Sequence, residues 1–151
     1  MSSSYDKFIL VMVGLPARGK TYLAQKIANY LNWRGYSVKV FNAGTYRRRI
    51  LGSHHSHRFF DPNNDKGVAA RRRVALLALE EMLAWIRTGG DIGIYDATNT
   101  TRRRRDLVRQ RCEAGGLSVI FIESVCNDPR IVEATVAETK TTSPDYRDVP
   151  P

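Results

Sequence analysis

An eight-residue segment near the amino terminus, Gly14–Thr21, matches the phosphate-binding pattern G-x-x-x-x-G-K-[ST]. Glycines at both ends let the backbone turn its N–H groups onto phosphate oxygens, and the helix that follows adds its positive end. In such a loop Lys20 would contact the β- and γ-phosphates, and the Thr21 hydroxyl would hold Mg²⁺. This phosphate loop predicts binding of a nucleoside triphosphate with magnesium, and it does not indicate which group accepts the phosphoryl.

A carboxylate, Asp96, ends the short apolar run Ile92–Tyr95. Ligands of parallel sheets collect at the carboxyl ends of the strands, so we expect Asp96 to face the phosphate loop. There it could hold Mg²⁺ or accept the proton of an attacking hydroxyl. The alternative is that Asp96 only caps a turn, since Asp-Ala-Thr-Asn is a favourable turn sequence. Thr98 and Asn99 follow closely enough to contact a substrate or a magnesium-bound water.

Positive charge dominates the composition. The chain carries 24 lysine and arginine residues against 15 acidic ones, a formal net charge of +9. Arginine suits phosphate groups, so we expect a polyanionic partner: a nucleotide, a sugar phosphate or a nucleic acid. Ten arginines form three runs, which are Arg47–Arg49, Arg71–Arg73 and Arg102–Arg105.

Helical spacing separates two arginines from their neighbours. Arg104 shares the inward stripe of Val108, and Arg71 shares that of Ala75. A buried arginine needs a counter-charge, which either an anionic substrate or a structural salt bridge would supply. Four other arginines of the runs Arg71–Arg73 and Arg102–Arg105, at positions 72, 73, 103 and 105, are expected to be solvated.

Strands and helices must alternate to position these residues. Four apolar runs predict buried strands: Lys7–Val13, Val38–Phe41, Ile92–Tyr95 and Val119–Ile122. Four amphipathic stretches predict helices: Lys20–Trp33, Val68–Arg87, Arg102–Glu113 and Pro129–Thr139. We therefore predict a three-layer α/β domain, the P-loop NTPase fold, with a mainly parallel sheet and helices on both faces. Gly52–Lys66 and Thr141–Pro151 are predicted to be loops.

Several smaller signals limit the class of protein. The longest apolar stretch, Phe8–Val13, is far shorter than the roughly 20 residues of a membrane helix, so we expect no membrane partner. The only two cysteines, Cys112 and Cys126, fit a reducing, cytoplasmic setting. Trp33 and Trp85 are expected in the core. The three histidines, at positions 54, 55 and 57, are expected on the surface of a loop rather than at a metal.

More particular segments then match one family. The chain resembles the kinase domain of 6-phosphofructo-2-kinase/fructose-2,6-bisphosphatase over about residues 8 to 146. The order and spacing of the matching segments extend over nearly the whole chain. These segments are Gly14–Tyr22 (GLPARGKTY), Tyr30–Trp33 (YLNW), Val40–Arg48 (VFNAGTYRR), Asp96–Arg102 (DATNTTR), Phe121–Pro129 (FIESVCNDP) and Lys140 with Ser143–Tyr146 (SPDY).

The resemblance implies transfer of the γ-phosphoryl of ATP to the 2-hydroxyl of fructose 6-phosphate in the cytoplasm, giving fructose 2,6-bisphosphate. It implies Asp96, Lys20 and Cys126 as active-site residues, with Mg²⁺ at Thr21 and Asp96. The ATP-binding positions it implies are Gly14, Leu15, Pro16, Ala17, Arg18, Gly19, Lys20, Thr21, Tyr22, Thr135 and Lys140. The fructose 6-phosphate positions it implies are Arg48, Arg71, Thr98, Arg104 and Lys140.

The chain is expected to be a single kinase domain, residues 1–151, that ends before the family's domain does. The rest of that domain and the phosphatase half are absent from it, so a missing carboxyl-terminal part or a homodimer is an expected partner. Two other functions stay open. One is a P-loop polynucleotide or tRNA 5′-hydroxyl kinase, favoured by the charge and the DATN turn, although we expect no nucleic-acid partner. The other is a nucleotide-binding fragment without transferase activity.

Overall fold

The computed structural model describes residues 7–16, 18–52 and 57–142. Its strands are β1 (Phe8–Val13), β2 (Val38–Asn42), β3 (Ile92–Asp96) and β4 (Ser118–Glu123). Its helices are α1 (Lys20–Trp33), α2 (Ala43–Leu51), α3 (His57–Phe60), α4 (Asp65–Arg87), α5 (Arg102–Ala114) and α6 (Pro129–Thr142). All four predicted strands and all four predicted helices are present.

The four strands form one parallel sheet in the order β2-β3-β1-β4. Their carboxyl ends therefore lie along one edge of the sheet. The register places Asn42 opposite Asp96 where β2 and β3 end. β1 ends between β3 and β4 and leads directly into the phosphate loop.

Alternating side chains of the strands fill two separate cores. On one face, Leu10 and Met12 of β1 pack with Ala24 and Ala28 of α1. On the other face, residues of β1 and β3 pack with α4 and α5 in a cluster that includes Ile9, Val11, Tyr95, Leu79 and Val108. This arrangement confirms the predicted three-layer α/β fold with helices on both faces of the sheet.

Two helices were not predicted. The N-cap of α2 is Asn42, whose side-chain oxygen accepts the N–H of Thr45 at 2.9 Å, and its C-cap is Gly52. This is a typical helix N-cap, and an asparagine in front of a short polar helix is a weak signal in sequence alone.

α3 and the first two residues of α4 lie in the segment predicted to be the loop Gly52–Lys66, so that prediction is wrong at His57–Phe60 and at Asp65–Lys66. Asn64 caps α4 by accepting the Gly67 N–H. A Cβ at Gly67 would come within 2.5 Å of the Phe59 carbonyl oxygen, so α3 packs directly onto α4 at this glycine. This close contact between the backbones of α3 and α4 explains why α3 is a helix, although its polar surroundings in the sequence suggested a loop.

The two tryptophans have different environments. Trp85 is partly buried against Phe41, with ring centroids 5.9 Å apart, as expected. Trp33 is 80% exposed, so its predicted place in the core is wrong. Nine residues at 3.6 per turn place Trp33 about half a turn from Ala24, which faces the sheet. Within the described part of the chain, no helix is long and apolar enough to cross a membrane.

Candidate active site

The phosphate loop is fixed to the ends of two other strands. The Gly14 N–H donates to the Thr98 carbonyl at 2.9 Å, in the turn after β3. A Cβ at Gly14 would lie 2.8 Å from the Ser124 carbonyl oxygen, so glycine is required by close packing. Gly19 has φ +80°, which glycine adopts without steric cost, and α1 begins at the next residue. The two glycines of the motif are thus required for different physical reasons.

Ser124 holds the phosphate loop from the side of β4, a contact that sequence reasoning missed. Its N–H donates to the Val13 carbonyl at 2.8 Å, and its hydroxyl donates to the Arg18 carbonyl. It lies directly after β4, at the same edge of the sheet as the loop. That position after a strand was the one available signal.

Lys20 is the first residue of α1 and is only 9% exposed. Its ammonium group donates to the Leu15 carbonyl at 2.9 Å, so the lysine folds back over the phosphate loop. Burial lowers the pKa of Lys20, and the nearby Asp96 carboxylate opposes that effect. A phosphate group above the loop would supply the further negative charge that this buried ammonium favours.

Asp96, the last residue of β3, is 2% exposed. Its Oδ2 accepts the Thr21 hydroxyl at 2.8 Å and the Asn42 amide at 2.7 Å. These contacts join the carboxylate to α1 and β2, rather than to the turn that follows it. The structure therefore places Asp96 beside the phosphate loop, and Asn42 is a site residue that sequence reasoning missed.

Asn99 has a different position from the one expected. It is 2% exposed and has φ +47°, and its amide donates to the Met12 carbonyl at 2.9 Å. Asn99 thus connects the turn after β3 to β1, with its side chain directed into the protein. Thr98, one residue earlier, is exposed.

Two arginines from separate runs come together. Arg71 of α4 and Arg47 of α2 both stack on the ring of Phe60, at 5.9 and 4.9 Å from its centroid. Burial lowers the pKa of Arg71, and the charge of Arg47 adds to that effect. Sequence reasoning named Arg71 and passed over Arg47, because the two lie on different helices. Arg48, which was named, directs its guanidinium to the Thr45 hydroxyl at 3.4 Å.

Arg104 lies in the first turn of α5 and is partly buried. Burial raises the pKa of the Tyr95 phenol to about 12, and the hydrogen-bonded Arg104 guanidinium opposes that rise. Arg104 also lines a cleft of about 630 Å³ whose other residues include Arg72, Arg102 and Arg103.

Arg105 was expected to be solvated. It is instead partly buried, and its guanidinium donates to the carbonyls of Asn99 and Thr100.

The remaining predicted residues lie around the loop or on α6. Leu15 and Tyr22 are largely exposed, and Arg18 donates to the Pro16 carbonyl at 3.3 Å. Cys126 is partly buried beyond the end of β4, and the Thr135 hydroxyl donates to the Ile131 carbonyl within α6. Ala17, His54, His55 and Ser143–Tyr146 lie outside the described residues. For Lys140 and His57 only the backbone is described, within α6 and α3.

A phosphate loop after β1 and an acid at the end of the adjacent β3 define the chain as a P-loop kinase fold. Solved structures agree: an APS kinase of Mycobacterium tuberculosis in complex with AMPPNP and APS superimposes with a TM-score of 0.66. That likeness covers 89% of this chain and 70% of the other, at 15% sequence identity, and so concerns the fold alone.

The family follows from sequence similarity. The profile of the family described as 6-phosphofructo-2-kinase matches residues 1–151, and the chain belongs to that family. It is 45% identical over 141 residues to the human 6-phosphofructo-2-kinase/fructose-2,6-bisphosphatase 3, covering 93% of this chain and 27% of the relative. It is 49% identical over 137 residues to the Arabidopsis thaliana 6-phosphofructo-2-kinase/fructose-2,6-bisphosphatase, covering 91% of this chain and 18% of the relative. The chain thus spans about a quarter or less of these two relatives.

Proposed function

We propose that this chain catalyses transfer of the γ-phosphoryl of ATP to the 2-hydroxyl of fructose 6-phosphate, giving fructose 2,6-bisphosphate in the cytoplasm. One observation carries the proposal: the Asp96 carboxylate lies 2.8 Å from the Thr21 hydroxyl of the phosphate loop. The phosphate loop and this carboxylate thus share one edge of the sheet, which supports a nucleotide and an acceptor held side by side. Family membership supplies the identity of the acceptor.

The nucleotide would lie on the loop. Backbone N–H groups of Gly14–Thr21 and the Lys20 ammonium would hold the phosphates, with Thr135 and Lys140 contacting the nucleotide from α6. The oxygens of Thr21 and Asp96 fit Mg²⁺, a hard cation that takes one or two protein oxygens together with substrate phosphates. The described residues contain no group of three or more His, Cys, Asp or Glu side chains that could hold a metal. When bound, the metal would neutralise charge on the phosphates.

The sugar phosphate would lie among the arginines. Arg71 and Arg47 share the Phe60 ring, so a phosphate dianion between them would relieve the repulsion of two partly buried cations. Arg104, Thr98, Arg48 and Lys140 are the other proposed contacts. Cys126 follows β4 by three residues and is partly buried, and we propose it as a pocket residue.

In the transfer step, the 2-hydroxyl oxygen of the sugar bonds to the γ-phosphorus while the bond to the ADP oxygen breaks. The hydroxyl loses its proton, which the Asp96 carboxylate would receive. Lys20 would balance the negative charge that develops on the bridging oxygen. Such reactions depend mainly on positioning and charge neutralisation, which these residues would supply.

The proposal is tested by incubating the chain with Mg-ATP and fructose 6-phosphate and following the products by phosphorus NMR. We expect a new signal from phosphate on the anomeric 2-position. Lys20→Met and Asp96→Asn should each abolish it, whereas Lys26→Met, which removes an exposed lysine of the same helix, should not. Intact ATP binding without a sugar product would overturn the proposal and indicate a nucleotide-binding fragment.

A second function, 5′-hydroxyl kinase activity on a nucleic acid, is favoured by the exposed Arg72, Arg102 and Arg103 along one cleft. A 5′-hydroxyl oligonucleotide incubated in parallel would become labelled if this function were correct. Its binding would then weaken steeply with salt, because phosphate contacts release counterions.

A further inference from the structure

We infer that Asn42 is a positioning residue that fixes the Asp96 carboxylate for phosphoryl transfer, an inference that rests on the proposed function of Asp96. Asn42 ends β2 directly opposite Asp96 in the sheet register. Its amide nitrogen donates to Asp96 Oδ2 at 2.7 Å. The contact therefore joins two adjacent strands at the edge of the sheet where the phosphate loop lies.

The orientation of the Asn42 amide is imposed by its other partner. The backbone N–H of Thr45 can only donate, and it points at the Asn42 side-chain oxygen from 2.9 Å. The oxygen must face Thr45, so the NH₂ group must face Asp96. Helix capping thus determines which end of the amide the carboxylate meets.

This contact distinguishes the two oxygens of Asp96. Oδ2 receives both hydrogen bonds, from Asn42 and from the Thr21 hydroxyl, which lie on different elements. Within the described residues, no hydrogen bond falls on Oδ1. A carboxylate held by two donors on one oxygen cannot rotate freely, so Oδ1 is the oxygen presented to the acceptor hydroxyl or to Mg²⁺.

The same side chain connects the acid to the sugar side of the site. Asn42 is the N-cap of α2, and α2 carries Arg47 and Arg48. Asn42 thus makes two contacts, the hydrogen bond to Asp96 and the cap of α2. A substitution can remove the first contact and keep the second. A substitution that keeps the cap should affect the chemical step and leave the arginines in place.

Asn42→Ser makes this separation. Serine caps a helix about as well as asparagine, but it is too short and lacks the amide donor that reaches Asp96. We expect kcat for fructose 2,6-bisphosphate formation to fall about 10- to 100-fold, as is typical when the partner of an active-site ligand is removed. KM for fructose 6-phosphate should be unchanged, and Tm should fall only by the effect of losing the one hydrogen bond to Asp96. Asn42→Ala removes the cap as well and should lower Tm further.

The matched control is Asn64→Ser, the same substitution at the N-cap of α4, which should leave kcat unchanged. A second measurement is the Mg²⁺ concentration needed for ATP binding, followed by titration calorimetry. Asn42→Ser should raise that concentration about 10-fold or more, since the second magnesium ligand is no longer held. ATP binding in EDTA should match that of the unsubstituted chain.

Two failures are distinguishable. If the unsubstituted chain forms no fructose 2,6-bisphosphate, the proposed function fails, and the magnesium titration alone decides the role of Asn42. An Asn42→Ser chain with unchanged magnesium dependence, and with unchanged kcat where activity exists, would overturn the inference. A fall in kcat matched by an equal fall in Asn64→Ser would also overturn it.

Discussion

Arg102–Arg105 form one run in the sequence, and their side chains meet different surroundings in the first turn of α5. Arg104 reaches the Tyr95 phenol, and Arg105 binds carbonyls of the turn after β3. Arg102 and Arg103 are exposed. At the residue scale, therefore, the direction of each side chain and the groups it meets decide its role, and the shared residue type does not.

Arg104→Ala is predicted to weaken fructose 6-phosphate binding. A hydrogen bond to a charged group contributes about 1.5–3 kcal/mol, so KM for the sugar phosphate should rise about 10- to 100-fold. KM for ATP should change little. Steady-state kinetics with each substrate varied separately would measure both.

The control is Arg103→Ala, which removes the same charge from an exposed position of the same turn. If Arg103→Ala raised KM as much as Arg104→Ala, the effect would be one of overall charge, and the proposed contact would be wrong.

At the scale of elements, β3 links the core to the site. All five of its residues are buried, and successive side chains point to opposite faces of the sheet. The Tyr95 hydroxyl donates to the Ala75 carbonyl of α4 at 2.8 Å, and the next residue is Asp96. The strand that presents the acid is thereby tied to the helix that carries Arg71.

The buried Tyr95 predicts a loss of stability at alkaline pH. The pKa of Tyr95 is raised from its ordinary value of 10.0 to about 12, so the folded chain holds this proton more tightly than the unfolded chain. The stabilisation is complete below pH 10 and is lost as the pH rises towards 12. Each such group lowers the free energy of unfolding by up to about 1.4 kcal/mol per pH unit within that interval.

Urea unfolding at several pH values, with Tyr95→Phe as the comparison, measures this contribution. Burial also raises the pKa of Cys112 to about 12, so Cys112 contributes to the loss of stability at alkaline pH in both chains. Tyr95→Phe should be less stable by about 1 kcal/mol at neutral pH and should lose less stability above pH 10. If the free energy of unfolding fell equally steeply with pH above pH 10 in the two chains, the prediction would be wrong.

At the scale of the whole molecule, the described sheet has β2 and β4 at its two edges. β4 carries Ile120, which is 50% exposed. An edge strand with an exposed apolar side chain is a template for pairing with another chain.

The 151-residue chain is therefore predicted to self-associate as its concentration rises, and Ile120→Lys should reduce that association. Charged side chains on edge strands oppose such pairing. Sedimentation velocity over a range of concentrations would measure it. Val125→Lys, at an exposed apolar position beyond β4, is the control and should have a smaller effect.

Local sequence determined much of this protein. The phosphate loop, the strand that ends at Asp96 and the apolar stripes of α4 and α5 depend on residues close together in the chain. Backbone geometry and helical periodicity relate such residues directly. The family resemblance depends on the same kind of local information, read over several segments.

Which distant residues contact one another depends on the tertiary structure. Asn42 faces Asp96 through the strand register, Ser124 braces the phosphate loop from β4, and Arg47 joins Arg71 across the Phe60 ring. Trp33 is likewise exposed because only a narrow face of α1, which includes Ala24 and Ala28, packs against the sheet. These contacts join residues on separate elements, and their distances depend on how the sheet and helices pack, which no spacing along the chain contains.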